Sequence, residues 1–588
     1  MRENAVQFYE FGPFRLDVAK QRLLRDGVMV PLTAKVFETL LVLVERGGEL
    51  IEKESLIERV WPDRFVEEGN LTQNISVLRK VLGESAEARD YIVTVPRRGY
   101  RFVADVKKTT KAAAAADEQM AATTQPAVFD SAAPSVAVLP FKLLVSDGED
   151  YLGLGLADAL ITRLSNVRQI IVRPTSAVLK YAQAAQDVRL AGRELGVASV
   201  LEGSVRRSDG RLRVTVQLVR VEDGRALWAD KFDEEFTDLF TVEDRIAERV
   251  AAALALQLTS AERALLAKRY TASPEAHEHY LKGRYYANRF TLDHFHKAID
   301  AFNRALELDP DYALAYAGVA EAYFIAADLY LNPLEALQKT REAAAKAVQI
   351  DDELPEAHTY LATVLMNIDW HWAEAERGFE RAIELNPSYA AAHQWYGWLL
   401  ILLARLDDAI KELEMARRLD PLSIGINWFL AAAYGFAGRF DEAAQQGEFL
   451  IELEPRSWIG HWVVGYARGI MRQFDRSIAA FEQAGRLDQS PMIAGQLGCV
   501  YAQAGRRDEA RLRLDELKAR SAAAYVPPYY IALIHAALDE EDEAFDYLEK
   551  AYEMRDGSLP LLKVDQRLDG LRHDPRFNDL LWRTGLPA

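Results

Sequence analysis

The apolar positions change rhythm along the chain, and each rhythm predicts a different kind of structure. From residue 5 to about 106, strand-like runs alternate with helical periodicity. Phe8 to Leu16 and Gln21 to Leu24 read as strands. Val36, Phe37, Leu40, Leu41 and Val44 form one face of a helix that Thr33 caps and Gly47-Gly48 ends. Lys53 to Trp61 predicts a second helix closed by Pro62. Asn70 to Leu82 predicts a third, with Leu71, Ile75, Leu78 and Leu82 on one inward stripe. Tyr91 to Val95 and Tyr100 to Val103 flank Pro96-Arg97-Arg98-Gly99, a hairpin pattern.

Residues 107–134 lose all apolar periodicity (KKTTKAAAAADEQMAATTQPAVFDSAAP) and read as a flexible linker. Residues 135–268 predict a small α/β domain. Its strands fall at Val136 to Phe141, Gln169 to Arg173, Ser199 to Arg206, Arg213 to Val221 and Ala226 to Phe232. Helices are expected at Asp158 to Leu164 and Val242 to Leu258, and Asp209-Gly210 marks a hairpin turn.

From 273 to 556 the chain is helical and periodic. Pro387, Pro421, Pro455 and Gln489 recur every 34 residues, and so do Ala375, Ala409, Ala443 and Ser477. A small residue lets two helices approach closely, and a proline ends the second of them. A 34-residue helix-turn-helix unit is the tetratricopeptide period, giving about eight helix pairs. The 44 residues between Ala313 and Ala357 imply a lengthened element near Asn332-Pro333. Residues 557–588 predict a cap, with Leu561, Leu562, Leu568 and Leu571 covering the last repeat.

The expected fold class is thus multidomain: a winged helix-turn-helix, a small α/β domain and an α-helical repeat solenoid. The chain has 588 residues, 50% of them hydrophobic, and a formal charge of −18. Wholesale disorder and a uniformly basic nucleic-acid surface are both excluded. The charge is uneven, however. Residues 69–107 hold seven Lys/Arg against four Asp/Glu, whereas residues 1–68 hold ten against thirteen. The surplus therefore falls on the third helix and the hairpin.

The single cysteine, Cys499, sits among apolar neighbours and reads as a small buried residue. No secretory signal and no apolar run of membrane-spanning length is visible, so a cytoplasmic protein without membrane contact is expected. His277 and His279 are two apart on a helix, as are His294 and His296, so neither pair converges on a metal. Gly153-Leu154-Gly155 reads as a structural turn rather than an anion site, and Asp158 as a cap or first-turn acid. No catalytic set, metal site or cofactor motif is found, and no enzyme is expected.

The segments PLTAKVFETLLVLVERGGELIEKESLIERVWPD, VEEGNLTQNISVLRKVLG and YIVTVPRRGYRFVADV resemble the OmpR/PhoB-type winged helix. The resemblance implies that Asn70 to Leu82 enters the major groove and that Arg97 to Arg101 form the wing. The DNA-binding set is accordingly Asn70, Thr72, Gln73, Asn74, Ser76, Val77, Arg79, Lys80, Arg97, Arg98, Tyr100 and Arg101. Family members often carry arginines where this chain has Ser76 and Val77. SVAVLPF, GLADALITRLS and ELGVASVLEGSVRRSDGRLRVTVQLV resemble the TolB amino-terminal-like domain. The whole order is similar to CadC/ToxR-type regulators, without their transmembrane helix.

Two function classes follow. The first is a transcriptional regulator on double-stranded promoter DNA, engaging RNA polymerase and possible as a homodimer. Its α/β and repeat domains would sense a cytosolic ligand or protein partner. The second is a repeat scaffold whose winged helix makes protein contacts. Tyr285, Tyr286, Trp370, Trp372, Trp395, Trp398, Trp428, Trp458 and Trp462 are expected in helix seams or along a peptide-binding groove.

Overall fold

The computed structural model describes residues 6–586 apart from 13, 18–21, 26–27, 31, 33, 61–67, 83–90, 96–97, 105, 111–133, 145–150, 183–186, 209–210, 236–238, 255, 257, 290, 330–332 and 523–524. Some side chains within elements also lie outside the described set, among them those of residues 70, 73, 76 and 80. The chain divides into two units, 1–131 and 132–588.

In the first unit β1 (Val6–Phe11), β2 (Phe14–Asp17), β3 (Arg22–Arg25) and β4 (Val28–Val30) form an antiparallel meander. Then come α1 (Ala34–Glu45), β5 (Leu50–Glu52), α2 (Lys53–Val60) and α3 (Glu68–Val81). The hairpin β6 (Ile92–Val95) and β7 (Gly99–Phe102) pairs with β5 in the order β5-β7-β6. Phe11, Phe14, Leu40, Leu71, Leu78 and Phe102 share its core, with Phe102 edge-on to Phe11 at 5.1 Å.

Two expectations shift. The buried face of α1 is turned so that Thr39 and Leu43 are fully buried while Leu41 is half-buried. Residues 107–110, expected within the linker, form β8 (Lys107–Thr110), which pairs antiparallel with β1, and residues 111–133 of that stretch lie outside the described residues. KKTT has no apolar rhythm, and its strand is made by backbone hydrogen bonds at the sheet's edge. The expected N-cap Thr33 and the tip residue Arg97 lie outside the described residues.

The second unit opens with β9 (Ser135–Val138), β10 (Lys142–Leu143), α4 (Tyr151–Ser165) and β11 (Ile171–Val172). Short helices α5 (Thr175–Val178) and α6 (Val188–Glu194) lead to β12 (Ser199–Ser208), β13 (Arg211–Arg220) and β14 (Ala226–Glu235). The sheet runs β11-β9-β12-β13-β14, parallel through its first three strands and antiparallel after them. Ser208 pairs with Arg211, the two-residue spacing expected of Asp209-Gly210.

The helix expected to run to Leu258 divides into α7 (Leu239–Ala253) and α8 (Ser260–Leu266). Thr259 and Glu262 restart the chain with a capping box. Gly153-Leu154-Gly155 is not a turn but the inside of α4. A Cβ on Gly153 would stand 2.3 Å from the Phe141 carbonyl, and one on Gly155 would stand 2.9 Å from Leu281. Asp158, expected near a helix start, is buried at mid-helix.

Eight antiparallel helix pairs follow among the described residues, from Pro274–Ala287 with Leu292–Leu308 to Pro528–Ala537 with Glu541–Glu553. The marker residues Ala375, Ala409, Ala443 and Ser477 are all fully buried, as are Ala510 and Ala544 in the two pairs that follow. The long second unit comes from extended helices, Ala313–Leu329 and Pro333–Ile350.

The first helices of successive pairs pack side by side. The α/β region shares one continuous core with the first three pairs, from Val136 through Leu281 and Phe302 to Tyr360.

Residues 559–586 do more than cover the last repeat. Leu562, Leu568, Leu571, Phe577 and Leu580 are fully or almost fully buried, while Leu561 is half-buried. Gln566 bonds the Phe436 carbonyl, and the Thr584 carbonyl accepts the Trp372 indole N–H at 3.0 Å. Arg567 is held by Asp565 and Gln496 and lies over the Tyr466 ring. The segment thus reaches from the last pair back to the third. No helix among the described residues is long and apolar enough to cross a membrane.

Candidate nucleic-acid interface

The third helix of the first unit is fixed from two sides. Leu71, Ile75, Leu78 and Leu82 are essentially buried, as their spacing predicted. Asn74 then fastens α3 to α1: its Nδ2 donates to the Lys35 carbonyl at 3.1 Å and to Thr39 Oγ1 at 3.0 Å. At the other end Arg79 Nη2 donates to the Ile92 carbonyl (3.0 Å) and to Thr94 Oγ1 (2.7 Å) on β6. One amide and one guanidinium thereby set the pitch of α3 against the helix before it and the hairpin after it.

The hairpin is fixed as tightly. A Cβ on Gly99 would fall 1.9 Å from the Ile51 carbonyl, so glycine alone permits this approach of β7 to β5. Tyr100 and Phe102 point inward and are buried, whereas Arg98 and Arg101 are exposed. Arg98 N–H closes the turn on the Val95 carbonyl at 3.1 Å.

The twelve sequence-predicted residues consequently divide by environment. Asn74, Arg79 and Tyr100 are engaged in holding the domain together, because their polar groups or rings meet α1, β6 and the core. Thr72 and Val77 on α3, and Arg98 and Arg101 at the hairpin, are exposed. The side chains of Asn70, Gln73, Ser76 and Lys80, and Arg97 as a whole, lie outside the described residues.

Residues 27–102 match the family model for the C-terminal domain of transcriptional regulatory proteins. Residues 131–249 match the second domain of HilA/YgeH-like transcriptional regulators. Residues 279–312 and 379–411 match tetratricopeptide repeats. The chain carries the modules of a transcriptional regulator.

Among proteins it resembles, the Salmonella typhimurium (strain LT2) transcriptional regulator HilA is 24% identical over 414 residues, 68% of each chain. Putative adenylate cyclase 3 of Rhizobium meliloti (strain 1021) is 32% identical over 240 residues, 40% of each chain. This chain therefore spans less than half of that relative and about two thirds of HilA. The DNA-binding domain of Escherichia coli CadC is 29% identical, covering 18% of this chain and all of that one, with a TM-score of 0.17.

His277 is buried between Glu243 on α7 (2.8 Å) and the Tyr312 hydroxyl (3.0 Å), joining the α/β region to the repeats. Among the described residues, no group of three or more His, Cys, Asp or Glu is placed to hold a metal. Cys499 is buried, and burial pushes its thiol up to about 11.

Aromatic residues on the first helices of successive pairs make a ribbon of ring contacts. Trp395 meets Phe429 at 5.2 Å, and Trp428 meets both Trp458 (5.5 Å) and Trp462 (5.9 Å).

Proposed function

We propose that this regulator binds specific promoter sequences with the outward face of α3 and clasps the flanking phosphates with its hairpin. In this reading Asn70, Thr72, Gln73, Ser76, Val77 and Lys80 address the major groove, and Arg97, Arg98 and Arg101 address phosphates or the adjacent minor groove. Asn74, Arg79 and Tyr100 act as positioning residues. The reading is carried by the fastening of α3 at Asn74 and Arg79, which fixes the helix with Thr72 and Val77 exposed on the side away from its leucine stripe. The local surplus of positive charge on residues 69–107 supports it.

The α/β region and the repeats act in this reading as one sensor body, binding a cytosolic ligand or protein partner and relaying it through RNA polymerase. Their shared core supports treating them as one body. A homodimer would double a small single-domain interface. No reaction is part of the reading.

The test is selection of random duplex DNA on the full chain, followed by affinity measurements at two salt concentrations. A recovered motif, bound more weakly at high salt and by Arg98→Ala, is expected. Absence of any enriched motif would refute it.

A further inference from the structure

Val77 is the feature of α3 that the polar-face reading leaves unexplained. It is 39% exposed on a helix whose four inward positions are almost entirely buried. At 100° per residue it stands one turn from both Gln73 and Lys80, on the side facing away from Leu71, Ile75, Leu78 and Leu82. The Asn74 and Arg79 bonds on its two flanks leave α3 little freedom to roll it inward. A solitary exposed apolar residue is unremarkable on an ordinary helix. It has a definite consequence on one laid in a major groove.

There an isopropyl group can neither donate nor accept. The groove edges of guanine and adenine present N7 with O6 or N6–H, and cytosine presents N4–H. The thymine C5-methyl is the apolar group in that code. Opposite a purine, Val77 would strip water from acceptors and return no hydrogen bond, which is a penalty. Opposite thymine it gains methyl burial.

We infer that Val77 is a specificity-determining residue that selects thymine at one position of each half-site through its C5-methyl group. The inference rests on the DNA-binding reading above and narrows it to a base and an atom. Burial of one methyl group corresponds to about a fourfold change in affinity.

The test first selects an operator on the full chain. Each thymine in it is then replaced in turn by deoxyuridine, which lacks only the methyl group. Wild type is expected to lose about fourfold at one thymine per half-site. Val77→Ala is expected to bind the intact operator about fourfold more weakly and to be indifferent to deoxyuridine at that same position. Val77→Arg, whose guanidinium pairs with guanine O6 and N7, should move the preference there from thymine to guanine.

Equal deoxyuridine sensitivity of wild type and Val77→Ala at every position would overturn the assignment of Val77 while leaving DNA binding intact. Failure to select any operator would overturn the reading beneath it, and the assignment with it. Because Val77 lies on the surface, both variants are expected to melt with wild type.

Discussion

Arg284, in the first helix of the repeats, donates from Nε to Asp158 Oδ2 at 2.8 Å, across 126 residues of sequence. Asp158 is buried in α4, where it also accepts from Thr175 Oγ1 at 2.6 Å, and Arg284 reaches on to Glu321 in the second repeat. One guanidinium thus ties the α/β region to two repeats. Removing one member leaves the other buried without its counter-charge. Arg284→Ala is expected to cost about 3–5 kcal/mol, read as a lower melting temperature of the second unit. Arg284→Met with Asp158→Leu should recover much of that loss, whereas equal loss in the single and double variants would refute the coupling.

Glu356 lies beside this pair, and burial, reinforced by Glu321 and Asp158 against the pull of Arg284, raises its carboxyl to about 7. A folded-state value above the unfolded one means the native state binds the extra proton. Stability from this group is fully present below about pH 4.5 and is lost as pH rises through about 7. Glu356→Gln should therefore match wild type near pH 5 and exceed it at pH 8 by about 2 kcal/mol, allowing for its partial exposure. A pH-independent difference in melting temperature would count against the shift.

Asn74→Ala removes both bonds to α1 and leaves the Thr39 hydroxyl in a buried site. A loss of about 1–3 kcal/mol is expected in the first unit's denaturation. DNA affinity should fall for all sequences alike, with the selected motif unchanged. A changed motif would mean that Asn74 reads bases directly.

Gly99→Ala places a methyl group against the Ile51 carbonyl, where a Cβ has 1.9 Å of room. The β5-β7 pairing should be lost, along with the wing's contribution to DNA affinity, while the repeats melt as before. Calorimetry resolving the two units checks this.

Cys499, buried and with its thiol pushed up to about 11, should resist thiol reagents at pH 8 until the solenoid opens. Labelling in graded denaturant is expected to track the loss of helical signal. Fast labelling of the native chain would show that the helix packing around Cys499 opens in the native state.

Much of this architecture was legible because its signals are local. The leucine stripe of α3 and the 34-residue markers report burial on one helix or in one pair. Asn74 was placed on the right helix, but its partner lies on α1 and no spacing rule connects them. Gly153 and Gly155 read as a turn because glycine usually breaks a helix, whereas here the Phe141 carbonyl and Leu281 demand the space. β8 was invisible because an edge strand is specified by the backbone of β1 rather than by its own KKTT. The return of residues 559–586 to Trp372 was equally hidden, since it depends on two surfaces more than 200 residues apart meeting in space.

That return changes the mechanics of the solenoid. An open array of repeats behaves as a chain of nearest neighbours, fraying from its ends and stretching like a spring. The bond from Trp372 to Thr584 clamps the third pair to the far end of the array and encloses everything between them in one loop. Pulled or heated, the pairs inside that loop are expected to come apart as a group rather than peel away one at a time. The array is then expected to respond as a girder does rather than as a coil.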